Sequence, residues 1–130
     1  MYEPIRTKSV HRAADGDRDS FPRRSREEEL DIQLAGHLAA LLAVTDELGD
    51  HAAAERIARQ VARLRGAPPA RRPGPGGADR SALHRRAHAL AGRALVVAAS
   101  RADTAVAVLA AERMDAHAAA LGGNALVATG

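Results

Sequence analysis

Between Ser25 and Gly49, apolar positions recur at alternating steps of four and three. Leu30, Leu34, His37, Leu41, Val44 and Leu48 fall on one stripe of an α-helix. Five of the six are apolar, and the sixth is a histidine in mid-stripe. Leu38 and Leu42 widen the stripe on one side, which predicts contact with two neighbours. Ser25-Arg26-Glu27-Glu28 has the form of a capping box, and Gly49 suits a left-handed stop. The first helix is therefore expected over about 26–48.

The same pattern recurs three more times. Asp50 can cap a second helix over 51–65, with Ala54, Ile57, Val61 and Leu64 as its stripe. The short link at Gly49-Asp50 folds the two into an antiparallel hairpin. A third helix over 80–99 carries Leu83, Ala87, Leu90, Ala94 and Val97. A fourth over 102–121 carries Val106, Ala110, Met114, His117 and Leu121. Ser100-Arg101-Ala102-Asp103 resembles a second capping box and predicts the break between them. An unbroken helix over 80–121 is the alternative, but at ~63 Å it would outrun the first hairpin. Gly122-Gly123 predicts the stop, with 122–130 as a tail.

Two segments carry no helical period. Residues 1–24 mix Pro, Arg, Asp, Ser and Gly and read as a disordered arm. Residues 66–78, GAPPARRPGPGGA, read as a Pro/Gly linker. The expected architecture is all-α: an up-down four-helix bundle of two hairpins, in which the first and third helices run the same way.

Composition agrees with helices and implies a thin core. Aromatics make up 2% of the chain, and both, Tyr2 and Phe21, precede the first stripe. Alanine is the best helix former but buries little area. At ~25 cal/mol per Å2 of apolar surface, such a core gives modest stability. A protein partner or a second copy of the chain is therefore expected, as a homo-oligomer. There is no cysteine, hence no disulfide or thiolate chemistry. The N-terminus lacks the apolar core of a secretory signal, and no window approaches the ~20 apolar residues of a membrane span. A cytoplasmic protein is the expectation.

The charge is divided. Residues 26–65 carry five basic and eight acidic groups, a net of −3, whereas residues 79–130 carry six and four, a net of +2. The two hairpins should attract one another. Arginines cluster at Arg23, Arg24 and Arg26, at Arg71 and Arg72, and at Arg80, Arg85 and Arg86. With no aromatics on the helices for base stacking and an acidic first hairpin, nucleic acid is not an expected partner.

The histidines carry the candidate chemistry. His84 and His88, four apart, share a face of the third helix. Counting back from the turn near Ser100, His117 lies level with about residue 85. If the first and third helices are parallel, His37 and His88 lie at similar heights. His37, His84, His88 and His117 would then form one layer that could bind zinc or another transition metal. No histidine has a carboxylate three residues before it, which excludes the Glu-x-x-His pattern of di-iron bundles. The plainer reading makes His84 and His88 part of a solvated basic face. It leaves His37 as a polar core residue bonded to a neighbour such as Gln60. No phosphate-binding loop or nucleophile elbow is present. The expected function is a small helical protein-interaction or assembly module without enzymatic activity. The alternative is a histidine-based metal-binding or sensor bundle.

Overall fold

The computed structural model describes the backbone of residues 15–129 and the side chains of residues 25–122. It contains α1 (Asp15–Leu48), α2 (His51–Arg65), α3 (Arg80–Arg101) and α4 (Thr104–Thr129), with no strand among the described residues. This is an all-α up-down bundle of two hairpins, as expected in all but the relative direction of α1 and α3. α1 packs on α2 and α3, and α3 packs on α4. Ion pairs Arg56–Glu112 and Arg63–Asp103 join α2 to α4 and close the ring.

Local chemistry sets the turns. Gly49 takes a left-handed φ of 81° and ends α1. Asp50 then caps α2, its Oδ1 accepting from the Ala53 N–H at 3.2 Å. Gly66, also left-handed, closes α2 by donating its N–H to the Ala62 carbonyl at 2.7 Å. The break between the third and fourth helices is present, but its chemistry differs from the expected capping box. Ser100 lies inside α3, and its hydroxyl donates to the Val96 carbonyl at 3.1 Å. Ala102 makes the turn with a left-handed φ of 59°, and Asp103 caps α4 by accepting from the Val106 N–H at 3.2 Å.

Three boundaries lie outside the expected ones. α1 begins at Asp15, so Ser25 is an exposed interior residue and not a cap. Pro22 removes one backbone hydrogen bond without ending the helix. The expected arm over 1–24 is thus helical from Asp15, and residues 1–14 lie outside the described residues. α4 likewise runs through Gly122-Gly123 to Thr129. Glycine in a helix interior costs about 1 kcal/mol and does not force a stop. The α3 end falls at Arg101, two residues beyond the expected 99.

The largest difference is direction. Arg80, at the start of α3, donates to the Leu48 carbonyl at the end of α1 at 3.2 Å. Arg101, at the end of α3, meets Asp31 near the foot of the bundle at 3.0 Å. α1 and α3 are therefore antiparallel, not parallel, and every neighbouring pair in the ring is antiparallel. The linker makes this possible. Residues 66–79 climb back along the first hairpin before α3 begins. Arg71 grips Asp46 through two nitrogens, at 3.0 and 2.8 Å, and also reaches Glu55 at 3.1 Å. The Arg72 N–H adds a bond to Asp46 at 3.0 Å, and the Gly76 N–H donates to the Glu47 carbonyl at 3.0 Å. Gly74 passes so close to Asp46 that an added Cβ would overlap the Asp46 carbonyl oxygen. The linker is a fitted strap. The Arg71 guanidinium holds the buried Asp46 carboxyl below its usual range, against the opposing effect of burial.

The core follows the stripes. Leu34, Leu38, Leu41 and Leu42 of α1 are fully buried, as are Ile57 and Val61 of α2 and Val106 of α4. α3 contributes Leu83 and Leu90 beside a close-packed alanine face of Ala87, Ala91, Ala94 and Ala98. Charge attraction between the hairpins runs both ways. Arg101 and Arg113 of the second hairpin meet Asp31 and Asp50 of the first, while Arg56 and Arg63 of the first meet Glu112 and Asp103 of the second.

Two substitutions test this packing by thermal and denaturant melts. Leu41→Ala removes a fully buried side chain and should cost about 2–5 kcal/mol. A loss below half a kcal/mol would contradict the core assignment. Ala102→Gly relieves a left-handed alanine and should stabilise by about 0.5–1 kcal/mol. A destabilised Ala102→Gly protein would mean that the turn conformation is wrong.

Candidate functional site: a histidine and arginine recess

α3 and α4 run antiparallel from the Ala102 turn, so positions equally distant from it lie side by side. His84 on α3 and His117 on α4 meet at the head of the bundle, their Nδ1 atoms 2.9 Å apart. The ring centroids are 5.1 Å apart, with planes tilted by 50°. The distance is that of a hydrogen bond, so one Nδ1 carries the proton and the other accepts it. His117 is 2% exposed, and its Nε2 has no partner. Two tautomer pairs satisfy this contact, and in the one where Nδ1 of His84 donates, the unpartnered Nε2 of His117 carries an N–H.

Charged groups from other elements surround the pair. A recess of about 350 Å3 is lined by Leu48, Gly49, Asp50, Arg80, His84, Arg113, Ala116 and His117. Arg113 lies one turn before His117, and its side chain is 11% exposed. Its Nη2 reaches Oδ2 of Asp50 at 3.3 Å, while its Nε is buried without a partner. Arg80 enters from the start of α3.

This setting disfavours imidazolium. Burial is the main cause of the fall in the His117 pKa to about 4, with Arg113 and His84 adding to it. Asp50 opposes the shift, and His88 adds a small lowering. Burial also lowers the His84 pKa, helped by Arg80 and Arg113.

The four candidate metal ligands are not brought together. His84 and His117 meet, as their spacing from the turn implied. His88 is half-buried farther along α3, and His37 is half-buried in α1. With α3 reversed relative to α1, the heights counted for His37 and His88 no longer coincide. Among the described residues, no group of three or more His, Cys, Asp or Glu side chains is arranged to hold a metal ion. The donor set at the recess also suits a cation poorly, because two guanidiniums share it with the two imidazoles. Gln60, the suggested partner of His37, instead accepts from Nε of Arg63 at 2.8 Å. Arg113 is the residue that sequence reasoning missed. Its signal was present: four residues before His117 on one helix means the same face.

Comparison of the chain with protein-family models, curated proteins and solved structures returns no match.

The pair makes stability acid-sensitive. Well above pH 6.5, the ordinary histidine value, both rings are neutral in the folded and unfolded chain. As pH falls from there towards about 4, the unfolded chain takes up protons that the folded chain resists. Stability should fall by up to about 1.4 kcal/mol per pH unit for one such site, or about 3 kcal/mol over the interval. Denaturant melts through this range check it, and His117→Gln should flatten most of the slope. An unchanged slope in His117→Gln would show that His117 is not the group responsible.

Proposed function

We propose that the protein is a non-enzymatic helical assembly module that associates with a second copy of itself at the foot of the bundle. The observation that carries this reading is Ile32. It is 71% exposed on α1, beside Ala35 and Leu64, in an open notch of about 460 Å3. Glu28 and Arg65 stand on the rim with opposite charges. In a two-fold arrangement, Ile32 of each copy can fill the notch of the other while Glu28 of one copy faces Arg65 of its mate. The length of α1 adds surface. Its 34 residues span about 51 Å, against about 22 Å for the 15 residues of α2. The foot of α1 thus runs beyond the helix it pairs with. The thin alanine-rich core fits the same reading, since association adds burial that the single chain lacks.

A second reading, a histidine-based sensor, is supported by the buried His84–His117 pair. Its metal-binding form is the weaker one, given Arg80 and Arg113 beside the pair. Among the described residues no helix is long and apolar enough to cross a membrane.

Sedimentation equilibrium tests the assembly reading. The parent chain should show a concentration-dependent mass between one and two copies. Ile32→Glu should weaken association by about 10-fold or more, from the loss of one buried isoleucine. Because Ile32 is exposed in the single chain, the variant should keep its melt within about 0.5 kcal/mol of the parent at concentrations where both are single copies. A parent chain that stays at the mass of one copy at all concentrations would sink the proposal.

A further inference from the structure

The head of the bundle holds more hydrogen-bond donors than the protein itself uses. Arg80 spends one nitrogen on the Leu48 carbonyl, and Arg113 spends one on Asp50. Each guanidinium carries five N–H donors in a fixed fork and accepts nothing. Nε of Arg113 is buried with no acceptor, and Nε2 of the 98% buried His117, which carries an N–H when Nδ1 of His84 is the donor of the pair, is also unpartnered. These groups come from both helices of the second hairpin and border one open recess. α2 and α3 also begin at this end, adding the partial positive charge of two helix N-termini.

We infer that this recess binds a small phosphate, free or carried on a small organic molecule, held by Arg80 and Arg113 with His84 and His117 behind. Three features point to phosphate. First, the lining suits an anion. Its two arginines outnumber its one carboxylate, Asp50. Asp50 is already engaged, with Oδ1 accepting from the Ala53 N–H. Its contact with Arg113, at 3.3 Å, is long for a charge-assisted bond, which usually measures about 2.7–2.9 Å. A more highly charged oxyanion competes for that guanidinium.

Second, the donors converge from several directions. A carboxylate presents two oxygens in a plane and would leave several donors unmet. A phosphate presents oxygens on all sides and can meet two guanidiniums from different helices together with an imidazole N–H. Third, the recess of about 350 Å3 is larger than a phosphate group alone needs. It leaves room for bound water or an organic substituent.

The test follows the imidazole resonances of the full chain while inorganic phosphate replaces sodium chloride at constant ionic strength near neutral pH. The expected result is a saturable shift of His84 and His117, with exposed His51 unmoved. Arg80→Gln, checked by circular dichroism for an intact fold, should weaken the effect by about 10-fold or more. Arg80→Lys should keep part of it. A parallel titration with methyl phosphate separates the sources. Tighter binding than inorganic phosphate supports a phosphate carried on an organic molecule, and weaker binding supports the free anion. Shifts that do not saturate, that appear equally at His51, or that survive unchanged in Arg80→Gln would overturn the site.

Discussion

The carboxylate of Asp46 governs how the two halves of the chain meet. Buried at the end of α1, it is held by two of the three Arg71 side-chain nitrogens and by the Arg72 N–H. A buried carboxylate without such partners would be strongly unfavourable. With them, it fixes the connector against the first hairpin and returns the chain to the head of the bundle before α3 starts. The consequence reaches the recess. His84 and His117 would meet in any arrangement of the second hairpin, because both are placed by the Ala102 turn. Their company is set by direction. Only with α3 antiparallel to α1 do Leu48, Gly49 and Asp50 form the opposite wall.

Much of the bundle was legible in the order of residue types. Apolar spacing identified the helices, Asp50 and Gly66 marked the ends of α2, and counting from the turn placed His117 beside His84. The failures have physical causes. A connector over 66–79 can reach ~46 Å when extended, twice the length of α2, so its length allowed either direction for α3. The deciding signal lay in charge rather than period: Arg71 and Arg72 on the connector, Asp46, Glu47 and Glu55 on the hairpin. The start of α1 was misplaced because residues before Ser25 lack an apolar period and Ser25-Arg26-Glu27-Glu28 has the form of a cap, and the end of α4 because Gly122-Gly123 reads as a stop, although glycine only weakens a helix already propagating. The cap of α4 was misread because alanine rarely turns left-handed, which concealed Ala102 as the pivot. The argument for a break at Ser100 rested on helix length. The break is real, yet α1 itself runs past α2, so length alone was not a sufficient reason.

The energetic character of the molecule is uneven. Its aliphatic core is concentrated in α1, while α3 buries mostly alanine. Small side chains let α3 approach its neighbours closely but contribute little area each. Among described residues, the buried polar set is Thr45, Asp46 and His117. Thr45 satisfies its hydroxyl within its own turn, on the Leu41 carbonyl at 2.7 Å, and Asp46 is satisfied by the strap. His117 is the exception, half-satisfied by His84 and pressed by Arg113. A site that is incompletely bonded in a bundle with modest reserves is where pH or a ligand acts most strongly on the folded state.

The seating of Gly74 against Asp46 also bears on how copies of the chain can combine. Two hairpins of similar size on a long connector are suited to trading halves between neighbouring molecules. Such exchange needs a connector that can leave its own hairpin and cross to another. Here the connector is locked by a glycine that admits no side chain, by the ion pair of Arg71 with the buried Asp46 carboxylate and by the Gly76–Glu47 backbone bond. If copies associate as proposed, each would keep both of its own hairpins, and the assembly would come apart on dilution into intact bundles, with no entangled chains to unfold.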